Sequence, residues 1–531
     1  MRGKVFRGSL STGVEVKLAP ECPVEDVRVG NFVVVEGRRH RFFCLVADVK
    51  LEAVYPGFLT ETFDLEEDRL AQEILVGDSI FANVCLQPVL MVDLEGDGIP
   101  RAVKTIPPHG APARSATAQD VGLIFGAPDD KTYFQIGTPL EMDVPVCVNL
   151  KRLVERCTGV FGKAGTGKTF LTRVLLAGII KSRQAVNLIF DAHNEYGWES
   201  KSEGEEGPVY VKGLKQLFPS EVKIYTLDEE SSQRRGCKYD GVIYVGYDQI
   251  EPEDIILLNN LLNLNATAQE HLFLLQKKLG AAWLPHLLAA EDMEAFAESL
   301  GAHSGALQAL KRKLERIERL PFIRARAPYD AVQRLLDDLE AGRHVVLEFG
   351  GTPTLGYMLV VNILTKRIHE EYVRRTEEHI ALGKGGPRPL VITVEEAHRF
   401  LSPQLAKETI FGTIAREMRK FNVTLLLVDQ RTSGIDSEVM SQIGTKISCK
   451  LDDEADVNNL LSGTTNTGGL KNVLFSLDYK QQALILGHAV PMPVVVRTRN
   501  YDEEFYRAMV ASRAPGGVDW LRMASREDIE I

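Results

Sequence analysis

The most specific pattern for chemistry is a glycine-rich segment at residues 162–169, which reads GKAGTGKT. It satisfies the pattern G-x-x-x-x-G-K-[ST], in which glycines let the backbone curl until several N–H groups point at a phosphate chain. Lys168 would reach the β- and γ-phosphates of a nucleoside triphosphate, and Thr169 would hold Mg²⁺. The pattern therefore predicts a site for ATP and Mg²⁺ whose cradle consists of Gly162, Gly165, Thr166, Gly167, Lys168 and Thr169.

An apolar run that ends in two acids, residues 389–398 (PLVITVEEAH), supplies a second set of catalytic candidates. A buried parallel strand would deliver these carboxylates to the carboxyl edge of a sheet, where phosphates bind. We expect Glu395 to orient Mg²⁺ through its waters and Glu396 to polarise the attacking water as general base. Because this run follows the glycine-rich segment at a suitable distance, it indicates a Walker B strand rather than an acidic helix start.

A third apolar run, residues 423–428, leads into Asp429 and Gln430. An amide at that place could sense the γ-phosphate, because glutamine side chains orient water in other nucleotide hydrolases. We therefore assign Gln430 to the catalytic group, although a simple strand-end cap would give the same pattern.

A fourth run, residues 187–190, leads into Asp191 and Glu195, with His193 between them. We expect Asp191 and Glu195 to face the nucleotide edge of the sheet. A metal site built on His193 is not indicated, because no second histidine follows at ligand spacing.

These runs need a sheet whose strands alternate with helices. That alternation begins near residue 145 and predicts an α/β domain with a parallel sheet. Short strands separated by turn residues precede it and are typical of a small barrel, and a Pro- and Gly-rich stretch after them predicts a linker. The predicted division is a β-barrel (1–105), a connector (106–144), a first part of the ATPase core (145–250), a helical insertion (251–340), a second part of the core (341–500) and a C-terminal tail (501–531).

Composition narrows the class of protein. The chain has 531 residues, of which 44% are hydrophobic and 25% charged, as in ordinary globular proteins. No apolar run approaches the ~18 residues of a membrane span, no export signal is present, and seven scattered cysteines suggest neither zinc nor disulfides. We therefore expect a cytoplasmic protein. A net charge of −11 excludes a uniformly basic surface but permits DNA contacts confined to an inner face.

Taken in order, these segments resemble the HerA branch of the HerA/FtsK superfamily over roughly residues 1–500. Residues 27–35 are similar to the family's small β-barrel, and residues 107–137 are similar to its connector. Residues 190–196 (FDAHNEY) look like the motif after its P-loop helix, and residues 414–421 (IAREMRKF) look like its arginine-bearing helix. The resemblance implies a RecA-like P-loop ATPase core with a parallel sheet, an N-terminal small β-barrel and an inserted helical subdomain.

The chain departs from the family pattern at three places. Asn194 and Met418 stand where glycine is commoner, and Asp429 stands where threonine is commoner. The resemblance nevertheless implies a homohexameric ring, although a heptamer stays open, with ATP bound between neighbouring subunits and duplex DNA in the pore. It also implies that Arg156 acts in trans on the neighbour's ATP, with Arg419 as the matching candidate in the arginine-bearing helix, because a fixed guanidinium stabilises charge on the transferring phosphoryl group.

Two segments compete for contact with DNA. One is a helix on which Lys311, Arg312, Lys313, Arg316 and Arg319 lie largely away from an apolar stripe. The same charges could instead be solvated and paired with glutamates on the helix. The other is the flexible basic loop at residues 383–388.

The expected function is an ATP-driven double-stranded DNA translocase or helicase. In HerA-like systems this motor works with a nuclease of the NurA kind in DNA repair by end resection. The alternative is an antiviral defence complex in which the ring is the motor or scaffold for a nuclease or a NAD-consuming effector. The sequence does not separate these settings, because the partner is a different chain. A secretion or conjugation ATPase is disfavoured by the N-terminal barrel.

Overall fold

The structure is a computed structural model that describes residues 1–53, 80–128, 130–204, 207–383, 385–464 and 467–511. Its strands are β1 (Arg2–Ser9), β2 (Gly13–Leu18), β3 (Phe32–Glu36), β4 (His40–Ala53), β5 (Ile80–Asp93), β6 (Arg101–Ala102), β7 (Pro112–Ser115), β8 (Tyr133–Thr138), β9 (Val146–Asn149), β10 (Thr158–Phe161), β11 (Val186–Asp191), β12 (Ser200–Gly204), β13 (Gly207–Val211), β14 (Val222–Thr226), β15 (Gly241–Val242), β16 (Val245–Gly246), β17 (Ile323–Arg324), β18 (His344–Glu348), β19 (Leu390–Glu395), β20 (Val423–Asp429), β21 (Thr445–Ser448), β22 (Gln482–Gly487) and β23 (Val494–Thr498).

The helices alternate with these strands after the N-terminal part. They are α1 (Ala118–Phe125), α2 (Leu150–Glu155), α3 (Lys168–Ser182), α4 (Leu214–Leu217), α5 (Glu229–Arg234), α6 (Pro252–Ile256), α7 (Asn259–Leu262), α8 (Ala266–Leu279), α9 (Trp283–Ala289), α10 (Met293–Leu300), α11 (Ser304–Glu318), α12 (Ala331–Glu340), α13 (Thr354–Ala381), α14 (His398–Leu401), α15 (Ile410–Glu417), α16 (Ser437–Gln442), α17 (Glu454–Leu460), α18 (Thr467–Ser476) and α19 (Glu503–Ala511). Among the described helices, none combines the length and the apolarity needed to cross a membrane.

A small antiparallel barrel forms the N-terminal part, as predicted. Its neighbours run β2, β1, β7, β3, β4 and β5, and β5 pairs back with β2, so closure leaves no free edge among these six strands. The strand β7 lies beyond the predicted boundary at residue 105. Two of the prolines that suggested a linker, Pro107 and Pro108, precede this short strand, and Pro112 begins it, where the missing N–H is tolerated.

The core is built on a twelve-stranded sheet in the order β15, β14, β18, β11, β19, β20, β10, β21, β22, β23, β8 and β9. Pairing is parallel from β15 to β21 and antiparallel from there to β9. The predicted α/β core with a parallel sheet is therefore confirmed for its central part. Since β8 pairs with β23, the end of the segment predicted as a connector belongs to this sheet.

Helices cover both faces of the central strands. Along β11, Leu188 and Phe190 pack into the cluster that contains α13, whereas Ile189 packs into the cluster that contains α3. Burial on both faces explains why β10, β11, β19 and β20 read as continuous apolar runs instead of alternating patterns. The carboxylates of these strands, Asp191, Glu395 and Asp429, stand at the strand ends.

The helices α6 to α12 fall in the range predicted as a helical insertion. The helix α11 buries Leu307, Leu310, Leu314 and Ile317 in the core of this insertion. The division of the chain into domains remains a prediction.

Candidate nucleotide-hydrolysis site

Four neighbouring strands end at the same edge of the sheet. In the order β11, β19, β20 and β10 they are parallel, and their registers place Phe161 beside Asp429 and Glu395 beside Val428. The glycine-rich segment follows β10, and Glu396 follows β19. All four segments that the sequence singled out are therefore brought to one edge, where nucleotides bind in parallel sheets.

The glycine-rich segment forms a tight loop between β10 and α3. At Gly162 the φ angle is 146° and a Cβ would stand 2.7 Å from the Cβ of Cys449, so a larger residue would not fit. The Thr166 hydroxyl donates to the Lys163 carbonyl at 2.7 Å, which closes the loop. Around Gly167, which precedes α3 with a φ of 94°, no atom of the described residues beyond its immediate chain neighbours lies within 4 Å of a built Cβ. The helix N-terminus is thus open toward an anion.

Lys168 is surrounded by acids from the other strands. Its Nζ donates to the Lys163 carbonyl at 2.6 Å. Burial lowers the pKa of Lys168, while Cys449 and the carboxyl groups of Asp429, Glu396 and Glu195 act in the opposite sense. The cation therefore lies where strand-end carboxylates converge, and a γ-phosphate would compete with them for it.

Thr169 is paired with Glu195. Its hydroxyl donates to Oε2 of Glu195 at 2.9 Å. A hydroxyl and a carboxylate are oxygen donors of the kind that Mg²⁺ prefers, so this pair fits the ion that the family resemblance implies. Glu195 joins Thr169 as a candidate for holding it, alongside the predicted Glu395.

Asp191 holds the loop that carries Glu195. It is fully buried, and its carboxylate accepts N–H bonds from Glu195, Tyr196 and Gly197 at 2.7, 2.8 and 3.1 Å. Burial and the charge of Glu348 raise the pKa of Asp191 to about 7. Asp191 was expected to face the nucleotide. The structure instead gives it a positioning role, because all its hydrogen bonds serve the loop.

The two adjacent acids of the Walker B strand have different surroundings. Glu395 is 6% exposed and accepts hydrogen bonds from the Tyr196 hydroxyl at 3.0 Å and the Ala192 N–H at 3.2 Å. Its pKa is raised well above its usual range, first by burial and then by the charges of Asp191 and Glu195. Through its hydrogen bonds with Tyr196 and Ala192, Glu395 therefore helps to fix the loop that carries Glu195.

Glu396 lies nearer the opening of the site. Its φ angle is 51°, in the left-handed region that residues with a Cβ seldom adopt. The carboxylate contacts Nε2 of His398 at 3.7 Å and Nε of Arg399 at 3.9 Å, and it lies close enough to Lys168 to affect that pKa. This position suits a general base for water better than the buried position of Glu395 does.

The segment after β20 is held by Asp429. Its carboxylate accepts the N–H groups of Gln430 and Arg431 at 2.7 and 3.0 Å, which leaves the Gln430 side chain exposed. Asp429 also accepts two hydrogen bonds from His398. The sequence motifs contained His398 and Tyr196, but their roles were missed because their partners lie on other strands.

Arg156 lies at the opposite edge of the sheet. It precedes β10, whereas the glycine-rich loop follows it, and a four-residue strand separates the two by ~13 Å. Its side chain packs over Gly444, where a Cβ would stand 2.5 Å from the Arg156 Cβ. Within the described part of the chain its guanidinium has neither a hydrogen bond nor an ion pair. Arg156 therefore does not serve the phosphate loop of its own chain.

The second predicted arginine, Arg419, belongs to the 3-10 turn Met418–Phe421. Its side chain lies outside the described residues, as does Lys384 of the predicted basic loop. The role assigned to Arg419 stays a prediction.

The basic side chains of α11 are largely engaged inside the insertion. Lys311 donates to the Ala290 carbonyl and Arg316 to the Leu261 carbonyl, at 2.7 and 2.8 Å, and Lys313 donates to the Asn263 carbonyl. Of the five predicted DNA contacts on this helix, Arg312 is exposed and has no polar partner among the described residues.

Comparison with known proteins agrees with the site. A family model described as the central domain of the helicase HerA matches residues 134–368. The DNA double-strand break repair helicase HerA of Sulfolobus acidocaldarius is 25% identical over 499 residues, which cover 90% of each chain. The protein of the same name from Saccharolobus solfataricus is 26% identical over 492 residues, or 92% of this chain and 90% of that one.

Among solved structures, the bacterial conjugative coupling protein TrwB matches with a TM-score of 0.46 and 13% identity, over 73% of this chain and 92% of that one. A similarity at that level assigns no function. The family model, which matches the central part of the chain, and the relatives, which match most of it, agree with the motifs and with the geometry of the strand ends. The chain is a P-loop ATPase that is similar to HerA helicases over most of its length.

Proposed function

We propose that this chain is an ATP-driven translocase of double-stranded DNA that acts as a hexameric ring with a partner nuclease in DNA end processing. The observation that carries the proposal is the meeting of Lys168, Thr169, Glu195, Glu396 and Asp429 at one edge of the sheet, while the Arg156 guanidinium at the other edge has no polar partner among the described residues. The first edge would hydrolyse ATP, and the second would offer a cation to a neighbouring subunit.

Each group at the first edge has a chemical task. The N–H groups of the loop and Lys168 would bind the β- and γ-phosphates. Thr169, Glu195 and Glu395 would hold Mg²⁺, which neutralises charge on the phosphates when it is bound. Glu396 would accept the proton of the attacking water, and the exposed Gln430 amide would orient that water.

The position of Arg156 at the amino edge of the sheet supports the proposal of a ring. An arginine that stabilises a transferring phosphoryl group must reach the γ-phosphate, and Arg156 is on the wrong side of β10 to do so within its own chain. In a head-to-tail ring every subunit would present this face to the neighbour's nucleotide. That arrangement supports a closed ring with ATP between subunits, and we propose six subunits from the resemblance to the HerA family.

The DNA substrate rests on the relatives, which bear the name of a DNA double-strand break repair helicase. Translocation needs contacts to phosphates that are independent of sequence and are made and released at low cost. Since most basic groups of α11 bond within the insertion, we favour Arg312 and the loop that precedes β19 for these contacts. All seven cysteines are free, which fits the reducing cytoplasm that we propose as its location.

The test is ATP hydrolysis by the purified protein with and without linear duplex DNA, beside a Glu396→Gln variant. We expect stimulation by DNA in the wild type and a loss of ~10²-fold or more in the variant, because the general base is gone. Glu377→Gln, which alters an exposed acid on α13, is the matched control and should behave as the wild type. Turnover that is indifferent to DNA, in the presence of the partner nuclease as well, would contradict a DNA motor and favour a scaffold ring.

A further inference from the structure

One carboxylate at the end of β20 joins two segments of the site. Asp429 is 2% exposed and accepts four N–H bonds. Its Oδ1 accepts from the main chains of Gln430 and Arg431, and its Oδ2 accepts from the main chain of His398 at 2.7 Å and from Nδ1 of the same histidine at 2.9 Å. The γ-phosphate-sensing segment and the segment after β19 are therefore fixed to a single side chain.

The protonation of His398 follows from this geometry. An ionised carboxylate only accepts hydrogen bonds, so Nδ1 must carry a proton. The other ring nitrogen, Nε2, then faces Oε2 of Glu396 at 3.7 Å. Asp429, His398 and Glu396 thus lie in a row in which the imidazole separates two acids.

The charges around the ring favour its cationic form. The hydrogen bond that Nδ1 donates to Asp429 is the largest influence and raises the pKa of His398, Glu396 raises it further, and burial and Arg399 lower it. Lys168 approaches both acids from the phosphate loop. Two acids and the Arg399 cation therefore act on the imidazole, and the acid that is in hydrogen-bond contact dominates.

The backbone of Glu396 needs such support. A φ of 51° is costly for a residue with a Cβ and persists only where surrounding contacts impose it. The Arg399 N–H donates to the Glu396 carbonyl at 2.9 Å, and the His398 N–H donates to Asp429. These bonds fix the turn immediately after the general base.

We propose that Asp429 and His398 form a positioning pair that holds Glu396 in place for attack by water and couples it to the Gln430–Arg431 segment. Nε2 of His398 faces Oε2 of Glu396 at 3.7 Å and orients that carboxylate by charge attraction. A γ-phosphate that engages Gln430 would pull on the same Asp429 that anchors His398. The inference rests on ATP hydrolysis in the proposed function, but it does not require DNA.

The test uses basal ATP turnover of the full chain without DNA, so its outcome is separate from that of DNA stimulation. His398→Gln and Asp429→Asn should each lower kcat roughly 10- to 100-fold, because a displaced general base loses its alignment. The Kd of a fluorescent ATP analogue should change by no more than about twofold, since the phosphate loop is intact. The double variant should be no slower than the slower single variant, because the pair acts as one unit.

The pH profile gives a readout that a purely structural role would not change. In the wild type, kcat should fall as pH rises through the raised pKa of His398, because Nε2 then loses the proton that faces Glu396. Asp429→Asn should move this alkaline limb to lower pH, and His398→Gln should remove it. His271→Gln, at a half-buried histidine on α8 that lies outside the site, should leave the limb unchanged.

Three outcomes would overturn the proposal. One is an unchanged kcat in both single variants. Another is an alkaline limb that survives in His398→Gln. The third is a fall in kcat that is matched by an equal loss of nucleotide affinity or by a lower unfolding temperature, which would mean that the pair only maintains the fold.

Discussion

The carboxyl edge and the amino edge of the central sheet differ in whether carboxylates surround their cationic side chains. At the carboxyl edge, Lys168 lies among Glu195, Glu396 and Asp429. At the amino edge, Arg156 and Lys446 line a cavity of about 660 Å³ between the core and the barrel. No carboxylate lies among the described residues that line that cavity.

The difference shows which edge is complete within one chain. The acids at the carboxyl edge come from three strands that end together, so a single chain assembles them. At the amino edge, Lys446 is already bonded to two carbonyls of its own chain. Arg156 has no polar partner among the described residues, and a neighbour's nucleotide would supply one in the proposed ring. The following experiments separate the two edges.

The largest effect is expected from Lys168→Ala. The side chain that compensates the β- and γ-phosphates is lost, so both nucleotide binding and turnover should disappear. Fluorescent ATP binding and phosphate release measure the two effects. Full binding in this variant would show that the carboxyl edge is not the nucleotide site.

Arg156→Ala should lower turnover ~10³-fold or more while ATP binding persists, because an arginine acting in trans stabilises the transition state more than the ground state. Steady-state kinetics and nucleotide affinity measure the split. Arg152→Ala, one helical turn earlier and exposed, is the matched control and should be neutral.

Mixing the two inactive variants sharpens this prediction. A Lys168→Ala subunit still presents Arg156 to an Arg156→Ala neighbour that has an intact phosphate loop. Rings assembled at random from equal amounts should regain about one quarter of the wild-type turnover, since half of the loops are intact and half of their neighbours carry the arginine. Absence of recovery in rings that are shown to be mixed would place Arg156 in its own chain's chemistry or in none.

The smallest effect concerns stability. Lys446 is buried, its Nζ donates to the Leu460 and Ser462 carbonyls at 2.7 Å each, and burial lowers its pKa from 10.5 to about 8. Between these values the unfolded chain binds the proton more strongly than the folded chain does. The free energy of unfolding should therefore rise with pH from about 8 to 10.5, relative to Lys446→Met, by at most ~1.4 kcal/mol per pH unit.

Urea unfolding of both proteins across that range measures the difference. At the pH where the two proteins differ most, the free energy of unfolding of Lys446→Met should be ~1–3 kcal/mol below that of the wild type, because two buried carbonyls lose their donor. A difference that stays constant from pH 8 to 10.5 would show that Lys446 titrates normally and that the cavity is wetter than its burial suggests.

Patterns confined to neighbouring residues were predictable from the sequence. The phosphate loop, the Walker B strand and the polar strand ends each depend on a few adjacent positions, and burial on both faces produces their apolar runs. The barrel was predictable from short strands and turns, but β7 was not, because a four-residue strand that starts with Pro112 has too few residues to show alternation.

Contacts between strands were not predictable. The pairing of Asp429 with His398 depends on β19 and β20 being neighbours in register, and the support of Glu395 by Tyr196 depends on β11 lying beside β19. No local spacing encodes these neighbours. For the same reason Asp191 was expected at the nucleotide, whereas its backbone bonds to residues 195–197 make it a clamp on the loop.

The strand β10 has a mechanical consequence. Only Cys157 and the four residues of β10 separate Arg156 from Gly162, the first glycine of the phosphate loop. The strand is hydrogen-bonded on both sides, to β20 and to β21. We expect a four-residue strand that is paired on both sides to move as a rigid unit when one of its ends is displaced. When ATP binding displaces the phosphate loop of one subunit, we expect Arg156 at the other end of β10 to move with it, toward or away from the nucleotide of the next subunit. In the proposed ring, the order in which subunits hydrolyse ATP would then depend on a strand of four residues.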